Sequence, residues 1–267
     1  MRRGLFLPPF GELADPRVLA ELAVRAEDAG WDGVFLWDHL VYGGVTEITD
    51  PSIALAAVAS ATSRIELGTM VTPLVRRRPA VLARQAVALD LLSEGRLVLG
   101  FGIGDDGYGE LSKFGELTDA PERGRALSEG LEVLRGLLSG DRVVHDGAHY
   151  RADDVEFLPR PLREGGIPIW LAARWPNAAP LRRAARYDGV FVISLEAPDQ
   201  VTALRERLEE SGADLARFDV VTIARPDADP SPWADAGVTW LLASFGPRSL
   251  VADELRAVID AGPRGAA

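Results

Sequence analysis

The sequence predicts a (β/α)8 barrel, on three observations. Eight short runs are nearly all-apolar and do not alternate, as strands buried on both faces of a parallel sheet require. A helical segment follows each run. The runs begin roughly every thirty residues, apart from a long gap between strands four and five and a short step after strand five. An open doubly wound sheet is the fallback. No linker or composition shift divides the 267 residues, so one domain, 1–267, is expected.

Gly4, Leu5, Phe6 and Leu7 make the first strand, stopped by Pro8-Pro9. Asp15 caps a helix with Pro16 at its first position; Leu19, Leu22, Ala23 and Ala26 share one face until Gly30 ends it. Val34, Phe35 and Leu36 form strand two and deliver Trp37, Asp38 and His39 at its carboxyl end. Asp50-Pro51 opens an alanine-rich helix that runs to Ser60. Strand three, 65–71, leads through a basic loop into an amphipathic helix ending at Gly95, and 96–102 is strand four. Segment 101–125, rich in Gly and Asp, reads as a long loop before a helix marked by Leu127, Leu131, Leu134 and Leu138. Residues 141–158 alternate and turn at Asp146-Gly147, a hairpin inserted between strands four and five. Strand five is 167–172, strand six 190–193, strand seven 220–224 and strand eight 240–243, with intervening helices at 179–186, before Gly212, and near 233–236. Leu250, Val251, Leu255 and Val258 mark the closing helix.

A hydrophobic content of 47% with 26% charged residues is that of a globular enzyme with a sizeable core. Lys and Arg number 29 against 40 Asp and Glu, and the net charge of −11 argues against nucleic acid or an anionic membrane surface. Small-molecule substrates are favoured. With no cysteine, thiol catalysis, thiolate metal sites and disulfides are excluded, which is compatible with a cytoplasmic protein. Pro8, Pro9 and Glu12 interrupt the apolar N-terminal run before a signal-like core develops.

In such a barrel the site is assembled from the carboxyl ends of the strands. That places Phe6, Trp37, Asp38, His39, Met70, Val71, Gly104, Asp105, Arg174, Trp175 and Phe245 on the candidate surface. Most are apolar or aromatic, suiting a flat ring better than a sugar, with Phe6, Trp37 and Phe245 assigned to the substrate pocket. A lone histidine is commonly structural, but His39 stands at a strand end beside Asp38 and can exchange a proton near neutrality. Asp38 either orients it or is turned into a salt bridge beneath the mouth. Gly102-Ile103-Gly104 lacks the third glycine of a dinucleotide fingerprint, so a Rossmann reading is rejected. Asp105 and Asp106 read first as solvated loop carboxylates. Phosphate donors are sought in Arg174, with Asn177 capping the next helix, and in Arg76-Arg77-Arg78 ahead of Pro79.

The combination of Leu67-Gly68-Thr69-Met70-Val71, Arg78-Pro79 with Val81-Leu82-Ala83-Arg84-Gln85, Leu92-Ser93-Glu94-Gly95-Arg96 and Gly100-Phe101-Gly102-Ile103-Gly104 resembles the bacterial luciferase-like superfamily. The helix end Ala26-Glu27-Asp28-Ala29-Gly30-Trp31-Asp32 and the Asp38-His39 strand end add to the match. The resemblance implies a TIM-barrel oxidoreductase, commonly a homodimer, using reduced FMN or the deazaflavin F420. It also implies a non-prolyl cis peptide between Met70 and Val71, with the central ring over Thr69, Met70 and Val71. His39 would face the reactive ring carbon or the substrate. Where FMN-using members can carry a basic residue for the FMN phosphate, this chain has Asp105. The insertions that cover the substrate are abbreviated between Arg225 and Val238.

The expected function is a monooxygenase using reduced FMN on a small organic substrate, with a separate flavin reductase as a partner. F420-dependent hydride transfer is the alternative. Two further readings are a non-catalytic flavin-binding barrel and a metal-assisted hydrolase using His39, Asp38, Asp105 and Asp106.

Overall fold

The computed structural model describes residues 1–246 and 251–263. Eight parallel strands close a barrel in the order β1 (Arg2–Leu7), β10 (Trp240–Ser244), β9 (Asp219–Ala224), β8 (Gly189–Val192), β7 (Ile169–Ala173), β4 (Leu97–Gly102), β3 (Glu66–Pro73) and β2 (Gly33–Leu36). Around it lie α1 (Pro16–Asp28), α2 (Pro51–Ala61), α3 (Pro79–Leu92), α4 (Ala120–Ser139), α5 (Ala178–Ala184), α6 (Asp199–Glu210), α7 (Ser231–Asp235) and α8 (Ala252–Asp260). The fold class is therefore the (β/α)8 barrel. An antiparallel pair, β5 (Val143–Asp146) and β6 (Arg151–Val155), stands between β4 and β7.

Strand parity decides where each side chain goes, since successive residues face opposite sides. Phe6, Phe35, Met70, Val98, Trp170, Phe191, Val221, Trp240 and Leu242 fill the barrel interior. Leu5, Leu7, Val34, Leu36, Leu67 and Ala243 face outward onto α1, α2 and α8. The two interior indoles need space that glycines provide. A Cβ on Gly33 would lie 2.9 Å from the Trp240 ring, and one on Gly189 2.6 Å from Trp170.

The helices begin where the sequence places their caps. Asp15 accepts from the Arg17 amide, and Asp50 from the amides of Ser52 and Ile53, each ahead of a proline at the first turn. The loop after β4 is shorter than expected, because α4 already starts at Ala120, with Asp119 accepting from the Glu122 amide. That cap lies inside the segment 101–125 that reads as loop. Of the closing helix, Leu250 lies outside the described residues.

At the amino-terminal end of the barrel, Arg2 pairs with Asp219 at 3.0 Å and stacks on Trp240 at 4.3 Å, while Arg163 pairs with Glu66 at 2.9 Å. A cleft of about 360 Å³ opens there, lined by Arg2, Trp31, Asp32, Arg64, Glu66 and Trp240. It is on the face opposite the strand ends that carry chemistry in this architecture. Among the described residues, no helix is long and apolar enough to cross a membrane.

Candidate active site

The mouth is floored by the end of β3. Its register with β4 slips between Thr69 and Thr72, a bulge in which Thr72 donates to the Thr69 hydroxyl at 2.9 Å. The Met70–Val71 peptide is cis, as the resemblance implied. Met70 is buried inside the barrel, whereas Val71 is only half-buried and stands with Trp37 and Ile223 as an apolar layer on the interior cluster. Gly102 and Gly104 keep the neighbouring backbone low. A Cβ on Gly102 would lie 2.8 Å from Val71, and Gly104 has φ +75°, which side chains rarely adopt.

Beside this floor, His39 is held by a residue that the sequence reading passed over. Its Nδ1 donates to Glu110 Oε2 at 2.9 Å, and the other carboxylate oxygen accepts from the Leu40 amide at 2.6 Å. Arg76 approaches that same oxygen to 3.5 Å. Burial opposes the charge on Glu110, yet the hydrogen bond and charge of His39, the Leu40 amide and Arg76 outweigh it and hold the carboxyl below its ordinary range. With Nδ1 fixed as donor, Nε2 is the ring nitrogen left for a substrate. Rings surround the imidazole, centroid to centroid: Tyr42 at 5.0 Å, Trp37 at 5.8 Å and Phe10 at 6.0 Å, with Tyr108 4.8 Å from Tyr42.

Asp38 is not the partner of His39. Its buried carboxylate accepts from Arg76 at 3.1 Å and Arg77 at 2.9 Å, so the structure corrects the catalytic assignment to a salt bridge below the mouth. Parity explains it. Phe35 and Trp37 face inward, and the same alternation carried past β2 turns Asp38 outward and His39 inward. The pairing commits Arg76 Nη2 and Arg77 Nη2 to Asp38, while Arg76 Nε and Nη1 are buried without a hydrogen-bond partner. Arg78 is exposed, and its charge acts on Tyr150 of the hairpin.

Phe245 is corrected on the same ground. Leu242 is inside and Ala243 outside, and Phe245 joins the outer cluster under α1 and α8, away from the pocket. Phe6 remains an inner residue at the mouth, 5.1 Å from Trp37. Asp105 is exposed, and its carboxylate accepts from the Gly107 amide at 3.1 Å; Asp106 caps the turn at Leu111 and Ser112. With Asp38 paired below, these acids do not converge on His39. Among the described residues no group of three or more His, Asp or Glu is placed to hold a metal ion.

Beyond β7, Arg174 and Asn177 are exposed and Trp175 is half-buried, its amide donating to Ser194 Oγ at 2.7 Å. Arg207 stacks on the Trp175 ring at 5.1 Å. Asn177 occupies the cap position of α5 without a side-chain cap bond. Arg174 has no ion pair among the described residues. The apolar layer at Val71, the low backbone at Gly102 and Gly104, and the free guanidinium at Arg174 suit a flat tricyclic ring with a phosphate-bearing tail.

The sequence model of the luciferase-like monooxygenase family matches residues 1–232. The chain belongs to that family of oxidoreductases. An F420-dependent glucose-6-phosphate dehydrogenase of Nakamurella multipartita is 36% identical over 217 residues, 77% of this chain. The match spans less than two thirds, 62%, of that relative's length. The F420-dependent tetrahydromethanopterin reductase of Methanopyrus kandleri superposes with a TM-score of 0.78 at 20% identity, covering 97% of each chain. A monooxygenase of Streptomyces bottropensis gives 0.79 at 21%, covering 97% of this chain and 96% of its own. At these identities the two structures share the family's fold.

Missing from the sequence reading were Glu110, Phe10 and Tyr42. Glu110 lies on the loop after strand four, at the site end, four positions beyond Asp106. A carboxylate within the loop that closes over a lone strand-end histidine was the available signal.

Proposed function

We propose that this chain is an F420-dependent oxidoreductase that moves a hydride between the deazaflavin and a small organic substrate. The observation that carries it is the His39–Glu110 pair beside the apolar floor of β3, a proton-handling group next to a surface for a flat ring. Named relatives that use F420 support the deazaflavin alternative over the FMN monooxygenase placed first from the sequence. So does Asp105, an acid where FMN-using members can carry a base. F420 supplies two-electron hydride chemistry when bound.

Thr69, Met70 and Val71 would support the ring, Gly104 and Asp105 flank it, and Arg174, Trp175 and Asn177 hold its polar tail. His39 Nε2 takes or returns the substrate proton. Glu110 fixes the ring that does so, and Phe10, Trp37 and Tyr42 keep water from it. A homodimer in a cytoplasmic setting is part of the same proposal; a flavin reductase partner belongs to the FMN reading.

Titration of the purified protein with F420 and with FMN, each followed by fluorescence, tests the reading. F420 should bind at least about 10-fold more tightly, a difference of ~1.4 kcal/mol. FMN that displaces F420 at equal concentration would overturn it.

A further inference from the structure

His39 stands at the start of a loop that contains two adjacent glycines, Gly43 and Gly44, and a loop of that freedom needs outside contacts to keep one side chain in place. Resting on the reading of His39 as the proton-handling group, we propose that Gly43 and Tyr108 form a clasp that positions it. The ring of Tyr108 fills the space that residue 43 leaves empty, and so fastens the loop after β2 to the loop after β4.

The loop after β4 is the braced partner. The Asp106 carboxylate accepts from the amides of Leu111 and Ser112 at 2.8 and 3.0 Å, and the Asp106 carbonyl from the Gly109 amide at 2.9 Å. Lys113 lies over Gly109 and donates to the Tyr108 carbonyl at 2.8 Å, while Leu111 is fully buried. Tyr108 and Glu110 are therefore carried by one unit. The loop after β2 meets that unit at two places. Glu110 accepts from His39 Nδ1 and from the amides of Leu40 and Val41. Tyr108 packs on Tyr42, 4.8 Å between ring centroids, and on Gly43. A single attachment would let the loop pivot about the carboxylate; two fix its orientation.

The second attachment depends on residue 43 having no side chain. A Cβ there would overlap the Tyr108 ring, with Cδ1 at 2.9 Å and Cζ at 3.0 Å. The backbone is not the obstacle. Gly44 takes φ +78°, but Gly43 is outside the left-handed region and its backbone accepts alanine. Tyr108 is 40% exposed and free to swing outward, so a methyl group at 43 should displace the ring at little cost to the barrel. What is lost is the hold on the turn at 42–44, and Glu110 is then left to keep His39 and Leu40 in place without it.

Two signals report the placement of His39 in the cofactor-free protein. One is its Nδ1–H resonance in protein carrying isotope-labelled histidine, assigned by its loss in His39→Gln. The other is hydrogen exchange at the Leu40 amide, which donates to Glu110. Neither needs F420, so failure of F420 to bind counts against the cofactor reading and not against the clasp. The wild type should show the Nδ1–H resonance, protected by buried Glu110. Gly43→Ala should broaden or remove it and quicken Leu40 exchange roughly 3–10-fold, the equivalent of one lost aromatic contact. Tyr108→Ala should do the same, and because this residue is partly exposed it decides the matter even if Gly43→Ala does not fold. Tyr108→Phe keeps the ring and should behave as wild type. The double variant should match Tyr108→Ala alone, since residue 43 acts through the ring. Wild-type signals in Gly43→Ala and Tyr108→Ala would overturn the proposal. So would a wild type without the Nδ1–H resonance, or a Gly43→Ala effect that persists in full when residue 108 is already alanine.

Discussion

At the scale of single residues, the site separates two acids that adjoin one histidine in different ways. Asp38 is next to His39 in sequence but belongs to Arg76 and Arg77; Glu110 is 71 positions away and holds the imidazole. His39→Ala should therefore lower turnover by roughly 10²–10⁴-fold, the usual range for a lost general acid or base. Glu110→Gln keeps the shape, loses the charge, and should cost less, roughly 10–10²-fold in kcat with F420 affinity unchanged. Because Glu110 acts through His39, the double variant should be no slower than His39→Ala alone. Additive losses in that cycle would mean that Glu110 works on the substrate directly. Much of this was legible in sequence, and parity is what was left unread. Counting alternate positions from Phe35 turns Asp38 out and His39 in, and counting from Leu242 turns Phe245 out. Glu110 was beyond that rule, since no periodicity governs a loop.

Whole elements were legible to within a few residues because their ends carry chemistry. Leu92-Ser93-Glu94-Gly95-Arg96, part of the family resemblance, shows why. Glu94 and Gly95 take φ of 55° and 81° to turn out of α3, and buried Arg96 donates to carbonyls of Ala59, Thr62, Ile65 and Ser93, closing the end of α2. What sequence could not give is the tie between the hairpin and α4. His149 donates Nδ1 to Glu129 and Nε2 to Glu122, both at 2.6 Å, so the ring sits there as the imidazolium. The hydrogen bond to Glu129, then that to Glu122, raises the His149 pKa above its ordinary 6.5. Burial resists the charge on Glu129, but His149, the amides of His149 and Tyr150, and His145 prevail and bring its carboxyl to about 2. A histidine raised in the folded state contributes its stability fully below 6.5, and loses it as pH rises through the folded value. The carboxylate contributes above 4.5 and loses its share as pH falls toward about 2. The hairpin should hold best between those limits, and intrinsic-rate-corrected hydrogen exchange in 143–155 should quicken on the alkaline side. His149→Gln should remove that alkaline dependence; a variant that retains it would place the titrating group elsewhere.

For the molecule as a whole, the surface that remains unexplained by the barrel is the outside of α2 and α3. Helices that cover a barrel ordinarily expose polar residues outward. Here Ile53 is 65% exposed and Val81 57%, with Leu91 and Leu92 also exposed on α3. Leu158 and Leu162 extend the patch, because Arg84 donates to the Leu158 carbonyl and Asp90 accepts from the Leu162 amide. On a chain of net charge −11, like charge disperses copies while exposed apolar side chains such as these reward their contact. The homodimer proposed above would place a second copy here, and a two-fold contact would bring the same patch against itself. Light scattering should thus report twice the chain mass, and the melting temperature should rise with protein concentration, as mass action demands of a coupled dimer. Ile53→Glu combined with Val81→Glu places charges in the centre of that contact, and should give a monomer whose melting temperature no longer depends on concentration. Both positions are mostly exposed, so the barrel itself loses little buried contact, and F420 binding should persist within about threefold. A wild-type chain that scatters as a monomer at all concentrations, or a double variant that remains dimeric, would remove α2 and α3 from the interface.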